Sequence, residues 1–299
     1  MKSKFFDSID SIDAQHWNSI ATESNPFLRH EFLSALEKSN SVNAATGWQP
    51  HHLLVFEGEQ IIALMPLYLK YHSYGEYIFD FSWANAYQRY GFEYYPKFLS
   101  AIPFVPATGT RLAYLNTVDK ATLFSFVAET LKTEAQQTGI SSIHILLADQ
   151  HEASLWGEQK LQQKITTQFH WLNNNYENFY SFLETFNSRK RKAVRKERQL
   201  ISDQNIQIET LTGTAISSQH WDYFYRFYQD TYSKRSGHRG YLTREFFTRI
   251  QQSMPEQVLL IFAKRNEKYI AGALYFFNES ALYGRHWGCI EDVEFLHFE

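Results

Sequence analysis

The chain has 299 residues, 44% of them hydrophobic and 20% charged, and a formal net charge of -3. This balance excludes a mainly disordered protein and gives no overall attraction to nucleic acid or to an anionic membrane. A single cysteine, Cys289, excludes an intrachain disulfide and a cysteine-based zinc site. Because no apolar run approaches the roughly 18 residues of a membrane span and no signal peptide is recognisable, we expect a cytoplasmic protein.

The sequence contains an internal repeat of a helix followed by a hairpin. Residues 27–36 match residues 241–250 position by position in side-chain character. Both segments have the apolar spacing of an amphipathic helix. Thr243 is a candidate N-cap of the second helix. A strand-turn-strand pattern follows each helix, at 52–70 and at 258–278. Because the two matches come in the same order, the sequence predicts tandem domains.

Between the two copies the sequence predicts four further elements of the first domain. They are a strand at 94–101, a helix near 122–138, and strands at 142–148 and near 166–172. The second copy has no counterpart of these segments before the last residue. A half-built α/β domain would expose apolar sheet surface and an unpaired edge, so we expect a second domain whose C-terminal part is missing.

A basic segment links the two domains. The sequence places the first domain at 1–178, the helical link at 179–204 and the second domain at 205–299. Residues 189–198 carry seven basic side chains against one acidic one, Glu197, so little of this charge can be paired within the helix. This favours a surface that binds phosphate on nucleic acid or on a nucleotide-bearing donor, the alternative being a solvated linker helix. The candidate residues are Arg189, Arg191, Lys192 and Arg195.

A loop at 103–111 contains two prolines and one glycine. Its glycine permits close backbone approach, and its threonines and arginine are hydrogen-bond donors, so the loop is a candidate cradle for a donor's pyrophosphate. The alternative is an ordinary connecting loop. The chain has neither a Walker loop nor the dinucleotide-binding glycine motif, which argues against those nucleotide sites. The candidate donor-binding residues are Pro103, Phe104, Val105, Thr108, Gly109, Thr110 and Arg111.

Two segments that follow the predicted hairpins, at 83–91 and 283–288, combine Trp, Tyr and Arg. This combination suits a cleft wall that stacks on a ligand and hydrogen-bonds it, whereas the alternative is an aromatic core with an arginine at its edge. Near the end of the chain, His297 and Glu299 are candidates for a general base. The twelve histidines show no metal-ligand spacing, so we expect no metal site. The candidate substrate-binding residues are Trp83, Tyr87, Arg89, Arg285 and Trp287.

Ten short motifs spread along the chain belong to one pattern. They are residues 25–28, 47–50, 65–70, 73–77, 94–97, 103–106, 188–192, 241–247, 284–289 and 295–299. The pattern covers essentially the whole chain and resembles the FemAB-like predicted N-acyltransferases, of the peptidoglycan biosynthesis and recognition type, in the GNAT superfamily. One local departure is the segment at 233–240, where the family usually carries a Trp-Gly pair.

The resemblance implies an α/β (α+β) fold of tandem GNAT-like domains. Each domain would be a mixed, largely antiparallel sheet flanked by helices, and a basic helix would join them. The implied activity is transfer of an acyl or aminoacyl group from acyl-CoA or aminoacyl-tRNA to an amine, with a cell-wall precursor as one candidate acceptor and no permanently bound cofactor. A non-catalytic protein that binds peptidoglycan fragments or nucleic acid is the alternative.

The implied chemistry assigns roles to a few residues. The attacking amine must be deprotonated, so Glu299 or His297 is the expected base. The tetrahedral oxyanion needs hydrogen-bond donors, for which Tyr283 or Tyr87 is expected. The loop at 103–111 and the basic helix would hold the phosphates of the donor, with tRNA as a candidate partner of that helix. The acceptor, the donor and the oligomeric state stay open.

Overall fold

The described part of the chain, residues 1–21 and 25–298 of a computed structural model, contains twelve strands, nine α-helices and five short 3₁₀-helices. The strands are β1 (Lys2–Phe6), β2 (Trp48–Pro50), β3 (His52–Glu57), β4 (Gln60–Met65), β5 (Tyr68–Lys70), β6 (Lys97–Ser100), β7 (Ala113–Tyr114), β8 (Ile143–Ile145), β9 (Ile206–Thr212), β10 (Val258–Arg265), β11 (Lys268–Phe277) and β12 (Leu282–Cys289). The helices are α1 (Ala14–Ala21), α2 (His30–Lys38), α3 (Phe81–Arg89), α4 (Lys120–Thr138), α5 (Gln150–Glu158), α6 (Phe179–Glu184), α7 (Ser188–Asp203), α8 (Ser218–Ser236) and α9 (Arg244–Ser253).

The strands of the described residues form three four-stranded sheets. The first has the order β1-β3-β4-β7 and the third the order β12-β11-β10-β9, and both are antiparallel throughout. The second has the order β2-β5-β6-β8, in which only β6 and β8 run parallel. This architecture confirms the predicted α/β fold of mixed, largely antiparallel sheets flanked by helices. The predicted domain limits at residues 178 and 204 stay a prediction.

Both copies of the repeat form the predicted helix and hairpin, except that the strand predicted at 60–70 ends at Met65, and Tyr68–Lys70 forms β5 of the second sheet. The two helices are α2 and α9, and the hairpins that follow them are β3–β4 and β10–β11. The second hairpin turns at Asn266 and Glu267, which both have positive φ angles, as a tight turn between antiparallel strands requires. Thr243 caps α9 as predicted, since its side chain accepts a hydrogen bond from the Phe246 N–H.

The two halves of the chain meet through equivalent parts of the repeat. Phe32 and Phe246, which occupy matching positions in α2 and α9, pack edge to face with ring centres 5.6 Å apart. Phe32 also contacts Phe276 of the third sheet at 5.5 Å, and the Thr243 hydroxyl donates to the Ser39 carbonyl at 3.0 Å. Contact between equivalent residues places the repeats face to face around one continuous apolar core.

The elements predicted between the copies are confirmed with one exception. The helix near 122–138 is α4, and the strands at 94–101 and 142–148 are the shorter β6 and β8. The strand near 166–172 is wrong, because the described backbone there pairs with no sheet. Phe169 in this segment is 97% exposed. A strand forms only where a sheet edge accepts its backbone hydrogen bonds, whatever the side chains of the segment favour.

Candidate functional site

A small pocket lies where the β6–β7 loop meets the third sheet. Loop residues Pro103, Phe104 and Val105 form one side, and Arg285 and His286 of β12 form the other. The Arg285 guanidinium donates a hydrogen bond to the Phe104 carbonyl and ties the two sides together. We call this space the junction pocket. Its remaining lining is apolar and comes from Phe32, Leu242, Phe246, Leu274 and Phe276.

The junction pocket is very small. Its cavity volume is about 10 Å³, close to the least that holds one water molecule, whereas typical ligand pockets have about 300–1,000 Å³. Burial and the neighbouring Arg285 lower the pKa of His286 well below its ordinary value, so its imidazole is neutral at pH 7. His286 was not among the candidate residues, although it lies inside the motif at 284–289. The pocket therefore combines one cation, one neutral imidazole and apolar walls.

Arg111, at the end of the same loop, holds the loop in shape. It is fully buried, and its guanidinium donates to the carbonyls of Ala107, Gly109, Thr110 and Leu146 at 2.7–3.0 Å. Its predicted role in cradling a pyrophosphate is therefore wrong, because no part of the guanidinium reaches the surface. The prediction relied on the residue type, but an arginine at the end of a Pro- and Gly-containing loop donates to backbone carbonyls as readily as it binds phosphate.

Replacing Arg111 with methionine is expected to lower the free energy of unfolding by about 1–3 kcal/mol, because buried carbonyl groups would lose their donor. Urea unfolding monitored by tryptophan fluorescence measures this change. Arg89→Met is the matched control, since Arg89 is exposed at the end of α3 and should change stability by less than about 0.5 kcal/mol. Equal effects of the two substitutions would contradict the structural role of Arg111.

The other polar groups of the loop also bond within the protein. The Gly109 N–H donates to the Leu147 carbonyl at 3.0 Å, and the exposed Thr108 hydroxyl donates to the Gln168 side chain at 3.1 Å. The Gly109 N–H is thus engaged within the protein, and the predicted role of Gly109 in allowing close backbone approach stays a prediction. Thr110 is half-buried, and its part in donor binding stays a prediction.

Trp83, Tyr87 and Arg89 lie on α3 and do not line the junction pocket. Trp83 and Arg89 are exposed. The Tyr87 ring packs edge to face against the Tyr94 ring, with ring centres 5.1 Å apart. The structure therefore does not bring these three residues together with Arg285 around that pocket. Their role in substrate binding stays a prediction.

The candidates at the end of the chain lie in different surroundings. Tyr283 packs against Phe27 across the junction of the two halves, with ring centres 5.2 Å apart. The Trp287 ring packs edge to face against the His297 imidazole, with ring centres 5.9 Å apart. Glu299 lies outside the described residues. The catalytic roles of Tyr283, His297 and Glu299 stay predictions.

The basic segment forms the exposed face of α7. Asn187 caps this helix by accepting a hydrogen bond from the Lys190 N–H. Arg189, Lys192 and Arg195 are exposed, and no ion pair joins these three to a carboxylate in the part of the chain that the structure describes. Arg191 is half-buried and donates to the Glu184 carbonyl at 3.5 Å. The helix thus presents several cations to solvent, as a phosphate-binding surface requires.

A buried group of charged side chains was missed by the sequence reasoning. Lys97 at the start of β6 donates to Glu76 at 2.9 Å, to Ser73 at 3.1 Å and to Asp80. Lys70 of β5 stands directly opposite Lys97 in the antiparallel register, and both lysines are fully buried. We call these five residues the polar cluster. Two like charges side by side in a sheet are unfavourable, so the carboxylates of Glu76 and Asp80 are needed to balance them.

Burial perturbs the ionisation of the polar cluster. It raises the pKa of Glu76 to about 7, an effect that the nearby Lys97 opposes, and it lowers the pKa of Lys70 to about 7. Burial by itself would raise the pKa of Asp80. Hydrogen bonds from Lys97, Ser73 and Tyr94 stabilise the carboxylate more strongly, so the pKa of Asp80 lies below its ordinary value. Groups that change protonation near neutral pH are typical of functional sites.

The sequence contained a signal for the polar cluster. Its members lie in three of the ten motifs, at 65–70, 73–77 and 94–97, apart from Asp80. Lys70 and Lys97 each adjoin an apolar strand core, where a lysine is seldom buried without a partner. The pairing of β5 with β6 could not be foreseen, and that pairing is what brings the two lysines together.

Other properties of the described residues bear on the class of protein. None of the helices within residues 1–21 and 25–298 combines the length and apolarity needed to cross a bilayer. The same residues hold no group of three or more His, Cys, Asp or Glu side chains arranged to bind a metal ion.

Comparisons with known proteins place the chain in a family. A crystal structure of FemX is similar over 99% of this chain and 82% of its own chain, with a TM-score of 0.51 and 12% identity. The apo structure of aminoglycoside antibiotic 6′-N-acetyltransferase AAC(6′)-IG from Acinetobacter haemolyticus covers 59% of this chain and 100% of its own, with a TM-score of 0.33 and 12% identity. No curated protein matches significantly. The sequence profile of the FemAB-like family, described as peptidoglycan biosynthesis/recognition, matches residues 8–299. The chain therefore belongs to the FemAB-like family.

Proposed function

We propose that this protein is an N-acyltransferase that moves an acyl or aminoacyl group from an activated donor to an amine of a peptidoglycan precursor. The observation that carries the proposal is the junction pocket, in which Arg285 and the neutral His286 face a small apolar space between the two halves. A guanidinium at such a place can stabilise the oxyanion that forms when an amine attacks a carbonyl. Membership of the FemAB-like family supports the choice of a peptidoglycan precursor.

The donor has two candidates. The exposed cations of α7 favour a polyanionic donor, for which aminoacyl-tRNA is the example, because several phosphates can then be neutralised together. Acyl-CoA is the alternative donor. It carries fewer phosphates than tRNA and therefore needs fewer cations to bind it. The junction pocket holds no more than about one water molecule, so either donor must bind beside it, with only its reacting carbonyl near Arg285.

The test is a transfer assay with the full chain. The acceptor is UDP-N-acetylmuramyl-pentapeptide with a free side-chain amine, and the donors are radiolabelled alanyl-tRNA and acetyl-CoA. Arg285→Gln is expected to lower kcat/KM by about 10- to 100-fold, because it removes a charge-assisted hydrogen bond. Arg265→Gln is the control, since Arg265 pairs with Glu291 on an exposed surface, and it should retain activity.

The possible results separate the donor classes. Label transferred from alanyl-tRNA alone, with strong inhibition by salt, would identify a charged tRNA as the donor. Label transferred from acetyl-CoA alone would identify an acyl-CoA transferase. Saturable binding of the acceptor without transfer from either donor would overturn the proposal in favour of a protein that only binds peptidoglycan fragments.

A further inference from the structure

We propose that an exposed aromatic surface at α3 binds the sugar of the acceptor, while the peptide carries the reacting amine toward Arg285. This inference rests on the acyl-transfer function proposed above and deepens it by assigning a site to the sugar of the peptidoglycan precursor. Three aromatic rings and two amides make up the surface, which we call the aromatic platform. Its members are Tyr74, Phe79, Phe81, Asn85 and Gln88.

Large apolar side chains are exposed around α3. Residues 71–92 hold eight of the eighteen large hydrophobic side chains that are exposed in the described part of the chain. None of the nine residues of α3 is buried, whereas a surface helix of a globular protein usually buries one apolar face. A concentration of exposed apolar side chains is typical of a surface that binds a ligand, a partner or a membrane.

The aromatic platform combines ring surfaces with amide groups. The Phe81 ring stacks on the Phe79 ring with centres 5.5 Å apart, and its centre lies 5.9 Å from that of Tyr74. These three side chains are 41–57% exposed. Asn85 and Gln88 are also exposed and follow Phe81 by four and seven positions, which places them on the same face of the helix. The platform therefore offers apolar surface next to hydrogen-bond donors and acceptors.

This combination of groups fits an uncharged sugar. The faces of a sugar ring carry C–H groups that pack against aromatic rings, and its edges carry hydroxyl and N-acetyl groups that bond to amides. Arg89 is the only exposed charged side chain among residues 71–92. Binding to an anionic bilayer or to nucleic acid relies on several exposed cations, so the charge of this surface favours a neutral polar ligand.

The polar cluster holds the aromatic platform in place. Lys97 donates hydrogen bonds to Ser73, which directly precedes Tyr74, and to Asp80, which directly precedes Phe81. It also donates to Glu76, between these two points, at 2.9 Å. Because buried bonds fix the segment at three positions, its exposed rings lose little conformational freedom when a ligand binds. The platform is therefore exposed and preorganised at the same time.

The aromatic platform adjoins the junction pocket through one close contact. Gly75, which follows Tyr74, has φ +81°, and a Cβ atom there would lie 2.7 Å from the Phe104 ring. Only glycine therefore allows this approach. Phe104 lines the junction pocket, and its carbonyl accepts the hydrogen bond from Arg285. A peptide attached to a sugar on the platform can thus extend directly to the place proposed for the reacting carbonyl.

Isothermal titration calorimetry of the full chain with two ligands tests the inference. N-acetylmuramyl-pentapeptide should bind about tenfold more tightly than the same pentapeptide without the sugar. Phe81→Ala is expected to weaken binding of the sugar-containing ligand about fivefold and binding of the free pentapeptide less than twofold, because only the sugar contacts the ring. Asn85→Ala should weaken binding of the sugar-containing ligand about threefold, and it decides the question if Phe81→Ala fails to fold.

A matched control and two contrary results make the test specific. Tyr180 is an aromatic residue of α6, 68% exposed and outside the platform, so Tyr180→Ala should leave both affinities unchanged. Equal affinity of the wild-type protein for the two ligands would overturn this inference alone, provided that the transfer assay succeeds. Sedimentation with phosphatidylglycerol vesicles that Phe81→Ala abolishes, without any sugar effect, would overturn it in favour of a bilayer.

The inference and the proposed function can fail separately. Wild-type protein that transfers neither donor group would overturn the proposed acyl transfer. A sugar-dependent affinity that Phe81→Ala removes would then still support the aromatic platform as a sugar-binding site.

Discussion

Replacing Lys97 with methionine is expected to lower the free energy of unfolding by about 3–5 kcal/mol. Methionine has nearly the length of lysine, so the change removes the charge with little loss of packing. Glu76 and Asp80 would then be left as buried carboxylates without their main cation. The cost comes from these uncompensated charges and not from the modest attraction that an exposed ion pair provides.

Urea unfolding at pH 7 and at pH 5 measures the effect of Lys97→Met. The loss should be smaller at pH 5, because Glu76, whose pKa burial already raises to about 7, is then protonated and no longer needs a cation. The double variant Lys97→Met/Glu76→Gln should recover part of the stability for the same reason. A loss below about 1 kcal/mol at pH 7 would contradict the buried ion pair.

Phe32→Ala is the second substitution with a large expected effect, a loss of about 3–5 kcal/mol. Phe32 is buried in α2 and contacts Phe246 of α9 and Phe276 of the third sheet. Alanine would leave a cavity where the two halves of the chain meet. Because the apolar core is continuous across that junction, the whole chain should lose stability together.

Differential scanning calorimetry distinguishes the outcomes for Phe32→Ala. A single transition at a lower temperature is expected, since the two halves share one core. Phe92→Ala is the control, because Phe92 is 68% exposed and its removal should change stability by less than about 0.5 kcal/mol. Two separate transitions in the wild-type protein would show that the repeats unfold independently and would contradict the shared core.

Local patterns account for the features that could be predicted from the sequence. α2, α9 and the two hairpins follow from apolar spacing and turn residues, which act between neighbours a few positions apart. Thr243 was identified as a cap for the same reason, since a cap bonds to a backbone N–H three residues away. The motifs along the chain indicated the FemAB-like family, which the profile match over residues 8–299 confirms.

Long-range contacts account for the errors. Arg111 was predicted to bind phosphate because of its loop, but its guanidinium bonds to three carbonyls of that loop and to the carbonyl of Leu146, 35 positions along the chain. The segment near 166–172 was predicted as a strand, but no sheet edge of the described residues receives it. In both cases the residue type permitted two structures, and the choice depended on groups distant in the chain.

The sequence by itself determined the repeat, the class of fold and the family, because periodicity, turn residues and motifs are local properties. Only the tertiary structure decided where the charges of the site lie. Lys70 and Lys97 are 27 positions apart in the sequence and come together because β5 pairs with β6, while Glu76 and Asp80 join them from the segment between those strands. Burial then shifts their ionisation toward neutral pH, and burial is a property of the folded chain as a whole.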